Sequence, residues 1–330
     1  MPDLYLGIDT SNYKTSVAVT DGNNQTVFER SEYLEVPQGS RGLRQSEAFF
    51  RHSNRLPEYI EEMSRSVDVS AIRAAGVSSR PRRVEGSYMP CFLAGINAAR
   101  EMTAVLGIPL HEFSHQEGHA AAIIENSSDT DIRRSVLFHL SGGTTEFLIC
   151  EPDEDGYRME ICGGTKDISA GQLIDRAGVA MGYPFPSGAY LDDLAETYYA
   201  ANGRVKSGLP RIKTTDGQFN LSGTETQVMR IIESSAAGDY PQLSYSIFER
   251  IAELLATSAV SAAANADADR VYMAGGVSAS SFIRKSIAEK LDAAKGTKPE
   301  IIFGDPVLSG DNAVGTARLA RRIHNRQTGR

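Results

Sequence analysis

The sequence predicts an α/β protein made of two similar halves, each a mixed β-sheet with helices. Three observations predict it. The chain has 330 residues, enough for two domains or one large α/β unit at roughly 100–200 residues per domain. Apolar runs of strand length alternate with longer runs of helical spacing along most of the chain. Two segments about 130 residues apart, LYLGIDTSNYKTSVAV and SVLFHLSGGTTEFLIC, share one plan of apolar strand, small polar turn and apolar strand. Taken alone, that pattern also fits two unrelated hairpins. The halves are expected at residues 1–133 and 134–310, with 311–330 as a closing helix returning to the first half.

Residues 4–9 form a short apolar strand and residues 15–20 alternate with a period of two. Asp21-Gly22-Asn23-Asn24 is a turn before a third strand at 25–33. Residues 46–65 place Phe49, Leu56, Ile60 and Met63 near one helical face. A strand follows at 72–77, a helix at 92–106 closed by Gly107, a strand at 108–113 and a helix at 115–124. The second half opens with VLFHL, the turn SGGTT, then EFLIC, with 157–162 as a pairing strand. Helices are expected at 170–181, 190–200, 244–266, 280–293 and 311–324, and strands at 270–274 and 300–303.

The net charge is −8, which argues against a protein coated in basic residues for nucleic-acid binding and leaves room for a local basic patch. Cys91, Cys150 and Cys162 are widely spaced and form no CxxC pair, so neither a disulfide framework nor a cysteine zinc site is expected. The N-terminal MPDLYLGIDTSNYK lacks the basic and apolar regions of a signal peptide. No apolar stretch approaches the ~20 residues that span a bilayer. A cytoplasmic protein with no membrane partner is expected.

His115-Gln116-Glu117-Gly118-His119 is the sharpest local feature. On a helix, positions four apart share a face, so both imidazoles can reach one cation such as Zn²⁺ or Fe²⁺. A surface helix with two histidines has the same spacing. Gln116 stands where a zincin protease needs its glutamate, which argues against that chemistry. Asp311, at the start of the last predicted helix, is a third ligand candidate or simply an N-cap. Ser141-Gly142-Gly143-Thr144 and Gly275-Gly276 each follow an apolar strand and offer backbone N–H groups to a phosphate, or are plain turns. Asp9 ends the first strand, with Lys14 close behind, and can face Mg²⁺ and phosphate or close a turn. Asp175, Asp192 and Asp193 lie on predicted helices, where solvation is the default. Arg80, Arg82 and Arg83 can clamp a carboxylate or phosphate. Arg318, Arg321, Arg322, Arg326 and Arg330 are a C-terminal candidate for RNA contact or a charged helix end.

In order, DTSNYKTSVAV, HQEGH, SGGTTEF, LIDRAG with YPFPSGAYLD, FNLSG, MAGGVSAS and GDNA span nearly the whole chain. This set resembles the tRNA threonylcarbamoyladenosine synthase family, once named O-sialoglycoprotein endopeptidase, of the actin, sugar-kinase and heat-shock ATPase superfamily. The resemblance implies a two-lobed fold with a central cleft. It implies one divalent metal, iron or zinc, held by His115, His119 and Asp311. It implies ATP, ADP or an acyl-adenylate with its phosphates at Ser141, Gly142 and Gly143, beside Thr144. Asp175 and Asp192 would then hold the ribose near Gly188, with Gly275, Gly276 and Ser280 on the adenosine side. The implied reaction moves a threonylcarbamoyl group from its adenylate to the amine of a tRNA adenosine. Asp9 and Lys14 are the catalytic candidates of the first hairpin, and Arg80, Arg82 and Arg83 the acyl, phosphate or RNA contacts. A homologous subunit or a small ATPase is the implied protein partner.

The chain departs from the family at substrate-facing loops. The usual ETSCDET reads Asp9-Thr10-Ser11-Asn12-Tyr13-Lys14-Thr15, GPGL is replaced by a longer basic segment, and SGGHT has Thr144 for its histidine. Ser280 replaces an asparagine, and FSFSGLKT becomes FNLSGTETQ, without its lysine. That pattern suits a paralogue with kept metal and nucleotide chemistry. Two other readings follow from it: a carbamoyltransferase with a non-tRNA acceptor, or a non-catalytic nucleotide-binding scaffold.

Overall fold

The computed structural model describes residues 2–11, 14–35, 43–125, 132–305, 308, 310 and 312–329. Asp311 and Arg330 therefore lie outside the described residues, as do Asn12 and Tyr13 of the first hairpin. The chain divides into two compact units. The first comprises Met1–Arg133, Glu151–Met159 and Leu308–Arg330, and the second Arg134–Cys150 and Glu160–Val307.

In the first unit, β1 (Leu4–Asp9), β2 (Lys14–Asp21) and β3 (Thr26–Tyr33) form an antiparallel meander. Helix α1 (Gln45–Ser66) leads to β4 (Ile72–Arg80), and α2 (Phe92–Leu106) to β5 (Leu110–Ser114). Both strands run parallel to β1, giving the order β3-β2-β1-β4-β5. Every residue of β1 is buried, as expected of a central strand covered on both faces. Leu6, Ile8, Val17, Val19, Val77 and Phe92 are core. Gly107 ends α2 in the left-handed conformation, the cap glycine supplies most readily. Helix α3 (His115–Ile124) follows β5 directly.

The second unit repeats the plan. Strands β6 (Ser135–Leu140), β7 (Thr145–Pro152) and β8 (Tyr157–Thr165) open it, with β6 and β7 antiparallel. Helices α4 (Ala170–Ala180) and α5 (Gly188–Asn202) follow, then the two-residue β9 (Gln218–Phe219), α6 (Ser222–Ser234) and α7 (Tyr240–Ala266). Strand β10 (Arg270–Ala274), α8 (Ser281–Ala293) and β11 (Glu300–Phe303) complete it. The sheet order is β11-β10-β6-β7-β8-β9, with β10 parallel to both β6 and β11. Each sheet thus has an antiparallel meander whose first strand is extended by two parallel strands. The hairpin repeat is the first step of a five-strand repeat, to which the second sheet adds β9 beside β8. Phe138 and Phe147 stack in the second core, with ring centroids 3.7 Å apart.

Helix α9 (Val314–Thr328) packs on β1 and β4 of the first unit. It starts three residues later than the sequence suggests, because its start is fixed from elsewhere. The Asn312 side chain accepts from Val314 N at 3.0 Å, and Ser16 Oγ of β2 accepts from Ala313 N at 2.9 Å. Among the described residues no helix is long and apolar enough to cross a membrane.

Helix α6 was not legible in the hydrophobic pattern. Asp167 organises its start, accepting from Leu221 N (2.9 Å), Ser222 N (3.2 Å), Ser222 Oγ (2.6 Å) and Asn220 Nδ2 (3.1 Å). Burial opposes its charge, but the hydrogen bonds from Ser222, Leu221, Asn220 and Ile168 outweigh that and hold the carboxyl well below the usual carboxylate range. A depressed folded-state pKa stabilises the fold above the ordinary carboxylate pKa of about 4 and loses that contribution as pH falls. Asp167→Ala is expected to cost about 1–2 kcal/mol at neutral pH, and less in acid. Urea unfolding of both proteins across that pH range measures it.

Candidate metal and nucleotide sites

The first cluster is built where β1, β4, β5 and α3 meet in the first unit. Ser114, the last residue of β5, is also the N-cap of α3. Its hydroxyl accepts from Glu117 N at 3.2 Å, while Glu117 Oε2 accepts from Ser114 N at 2.8 Å. This reciprocal box fixes the direction of the first helical turn. Glu117 Oε1 also accepts from Tyr157 N at 3.0 Å. The S-x-x-E spacing of Ser114 and Glu117 was a readable signal for this bracing.

The same turn carries His115 and His119, whose Nε2 atoms lie 2.9 Å apart. Behind them is Asp9, 1 % exposed. Its Oδ2 accepts from Ser78 Oγ at 2.8 Å and from His115 Nδ1 at 2.7 Å, and its Oδ1 accepts from Ser11 N at 2.7 Å. Asp9, a candidate to face Mg²⁺ and phosphate or to close a turn, backs a histidine through Oδ2 and makes the turn's Asx bond through Oδ1. A carboxylate accepting at Nδ1 fixes the proton there and leaves the Nε2 lone pair facing outward. Two imidazole nitrogens converging at this separation, one backed by a carboxylate, fit a divalent cation bound in common. No group of three or more His, Cys, Asp or Glu suited to a metal gathers among the described residues, and the third candidate, Asp311, lies outside them.

Close helix contact positions this cluster. A methyl group on Gly315 of α9 would sit 1.9 Å from the Gly118 carbonyl oxygen and 2.6 Å from Ala122 N. The glycine of HQEGH thus lies where α9 seats on α3. Lys14 Nζ sits 5.2 Å from the Tyr33 ring centroid. It lies beside Gly310, on the segment carrying Asp311.

The basic candidates divide. Arg83 Nη1 donates to both Asp153 oxygens, at 3.0 and 2.9 Å, and lies 3.5 Å from Glu117. Arg82 N donates to Ser87 Oγ, and Arg80 Nη1 to Ser79 Oγ at 3.3 Å. The C-terminal arginines are engaged within the first unit. Arg318 donates to the Ala122 and Asn24 carbonyls, Arg321 to Gly22 and Asn24, Arg322 to Gly156 and Arg326 to Glu154. These contacts fit the reading of the row as a charged helix end, and Arg330 lies outside the described residues.

The second cluster lies in the second unit. The turn between β6 and β7 is closed by Ser141 Oγ, which accepts from Gly143 N (3.3 Å) and Thr144 N (3.0 Å). Gly142 O accepts from Ser169 Oγ, the N-cap of α4, at 2.7 Å. A methyl group on Gly171 in the first turn of α4 would lie 2.6 Å from Ser141 O, so turn and helix start are in direct contact. An added methyl on Gly142 or Gly143 would meet nothing within 4 Å. An open glycine turn seated on a helix N-terminus is an arrangement suited to an anion.

Asp175 and Asp192 have different surroundings. Asp175 Oδ1 accepts from Ser187 N at 2.8 Å, holding the loop that leads to Gly188. Asp192 accepts from Ser280 Oγ (2.5 Å), Ser281 N (2.8 Å) and Phe282 N (3.2 Å), while Ser280 Oγ accepts from Ile283 N at 3.1 Å. Ser280 and Asp192 therefore cap α8 together. Gly275 and Gly276 form the turn between β10 and that cap.

The family model for tRNA N6-adenosine threonylcarbamoyltransferase matches residues 31–317. The chain is 30% identical over 324 residues to the enzyme of that name from Bacillus licheniformis, covering 94% of this chain and 89% of the relative. It is 27% identical over 316 residues to the one from Thermotoga neapolitana, covering 95% and 92%. Among solved structures it is similar to Thermococcus kodakarensis HypF (TM-score 0.60, 14% identity, 99% of this chain and 48% of that one). It is also similar to the activator of the 2-hydroxyisocaproyl-CoA dehydratase from Clostridium difficile (TM-score 0.52, 14% identity, 100% and 97%). Those two likenesses show the fold, that of the actin-like ATPases and sugar kinases.

Proposed function

The chain belongs to the tRNA N6-adenosine threonylcarbamoyltransferase family, and from that premise we propose that it transfers a threonylcarbamoyl group from its adenylate to the N6 amine of a tRNA adenosine. The observation that carries this reading is the convergence of His115 and His119, with Asp9 behind His115. In the proposed reaction the amine attacks the carbamoyl carbonyl, a C–N bond forms, the C–O bond to the phosphate breaks, and AMP leaves as the amine proton passes to solvent. No covalent enzyme intermediate is needed.

His115 and His119, with Asp311 as third candidate, would hold the metal. When bound, the ion supplies Lewis-acid polarisation of the carbamoyl carbonyl and a template for the donor's anionic groups. Asp9 holds the His115 proton on Nδ1 and so keeps Nε2 available as a ligand. The open turn at Gly142 and Gly143 takes the adenylate phosphate, and Asp175 orients the ribose beside Gly188. Asp192 and Ser280 fix the start of α8 and shape the adenosine side. Lys14, beside the segment that carries Asp311, adds positive charge near the donor. Adenine nucleotide and tRNA are thus the proposed partners, with a homologous subunit or small ATPase as a further one.

A second reading, transfer to a non-tRNA acceptor, draws on the rewritten loops. Glu225 stands where the family's lysine is missing, and it pairs with Arg176 at 2.9 Å, so the local charge is reversed and neutralised. Nucleoside mass spectrometry of tRNA separates the two readings. In cells whose only source of the activity is this chain, threonylcarbamoyladenosine is expected. Its absence, with the protein folded and metal-loaded, would favour the other acceptor.

A further inference from the structure

We propose that Ser78 is a positioning residue for the histidine pair, fixing through Asp9 where His115 carries its ring proton. It acts at one remove. Its hydroxyl donates to Asp9 Oδ2 at 2.8 Å, and the same oxygen accepts from His115 Nδ1 at 2.7 Å. The consequence for metal binding rests on the proposed reading of the histidine pair, whereas the placement of the proton does not.

The backbone brings Ser78 to this place. Strands β1 and β4 run parallel with Ile8 beside Val77, so the residues that follow them, Asp9 and Ser78, come side by side. Alternation along β4 turns Gly76 and Ser78 to one face, and α9 closes that face. A methyl group on Gly76 would sit 2.4 Å from the Thr316 carbonyl oxygen, and one on Gly118 of α3 would sit 3.0 Å from Thr316 Oγ1. Thr316 is thus wedged between β4 and α3, with its Oγ1 3.5 Å from Ser78 Oγ. Ser78 and Thr316 are both fully buried, so bulk solvent reaches neither hydroxyl.

The chemistry of the contact follows from its donors. A carboxylate turns easily about its last torsion, and Asp9 has an anchor on each oxygen. Ser11 N holds Oδ1 at 2.7 Å, and Ser78 holds Oδ2. The direction of the second bond is fixed, because an ionised carboxylate only accepts and the one proton of Ser78 must go to it. Such a charge-assisted bond is stronger than one between neutral groups. Thr316, at 3.5 Å, is at the far limit of hydrogen bonding and serves as a wall behind Ser78. With both oxygens pinned, a remaining lone pair of Oδ2 is aimed at His115 Nδ1. Removal of the Ser78 hydroxyl takes away one anchor, and the Nδ1 proton then faces an acceptor that is less firmly placed.

The test compares Ser78→Ala with Thr316→Val, which removes an equally buried hydroxyl and keeps the wall. In the metal-free full chain, NMR with ¹⁵N-labelled histidine follows the His115 Nδ1 proton. The native chain is expected to show it as a downfield, slowly exchanging signal. Ser78→Ala is expected to move it upfield and to speed its exchange about tenfold, the loss of one hydrogen bond to a charged group. Thr316→Val is expected to leave it in place. Zinc affinity is read by competition with a chromophoric chelator. It is expected to fall about tenfold in Ser78→Ala, the low end of outer-shell losses, and to stay native in Thr316→Val. If Ser78→Ala does not fold, Ser78→Cys, with a weaker donor, carries the NMR comparison. A His115 proton unmoved in the folded Ser78 variant, or moved as far in Thr316→Val, would overturn the proposal. So would an unchanged zinc affinity in Ser78→Ala when the native chain binds zinc. A native chain that binds no zinc would count against the metal reading alone, and the proton measurement then decides the role of Ser78.

Discussion

His115→Ala and His119→Ala are each expected to abolish metal binding and tRNA threonylcarbamoylation while the fold survives. Each removes one of two imidazoles whose Nε2 atoms lie 2.9 Å apart, and two ligands from one helical turn cannot be replaced by one. The helix has other supports. The Ser114–Glu117 box and the Glu117–Tyr157 hydrogen bond remain, and alanine is the best helix former. Asp9→Asn gives an intermediate result. It removes the negative charge behind His115 and is expected to weaken the metal by about 10–100-fold, the usual effect of losing an outer-shell partner. Elemental analysis of metal per chain, beside circular dichroism, measures all three. Unchanged metal content in both alanine variants would remove the site.

Gly315→Ala is expected to be severe for a single added methyl. That methyl would enter the space of the Gly118 carbonyl, 1.9 Å away, and of Ala122 N, 2.6 Å away. Both contacts are with backbone, so neither can be relieved by a side-chain rotation. The start of α9 must shift away from α3, at a cost of about 2–3 kcal/mol. The segment before α9 carries Asp311, so metal affinity is expected to fall together with stability. Chemical denaturation gives the first quantity and metal titration the second. A variant within about 0.5 kcal/mol of the native protein, the range of ordinary surface changes, would contradict this close seat.

Much of this was legible in the sequence where local chemistry decides the structure. The helix of residues 92–106 and its Gly107 cap have the expected bounds, as does the HQEGH helix. The paired hairpins announced two related sheets. What was not legible depends on distant partners. The start of α9 is set by Ser16 and Asn312, and Ser16 is 297 residues from the N–H it caps. Asp9 reads as the end of a strand, and nothing near it in sequence shows that His115, 106 residues on, takes its oxygen. Asp192 reads as a solvated helical acid, yet caps a helix 88 residues away through Ser280. The arginine-rich last helix fits an RNA contact or a charged helix end by sequence, and its partners Asn24, Ala122, Gly156 and Glu154 all lie far away along the chain.

The most direct test of the account is transfer in vitro by the metal-loaded native chain. The protein is incubated with threonylcarbamoyl-adenylate and an unmodified tRNA transcript, and the tRNA nucleosides are resolved by mass spectrometry. Threonylcarbamoyladenosine is expected in the native reaction, with AMP released in equal amount, and neither product above background with His119→Ala. Unmodified tRNA from the native protein, with metal and adenylate both shown to be bound, would contradict the proposed transfer.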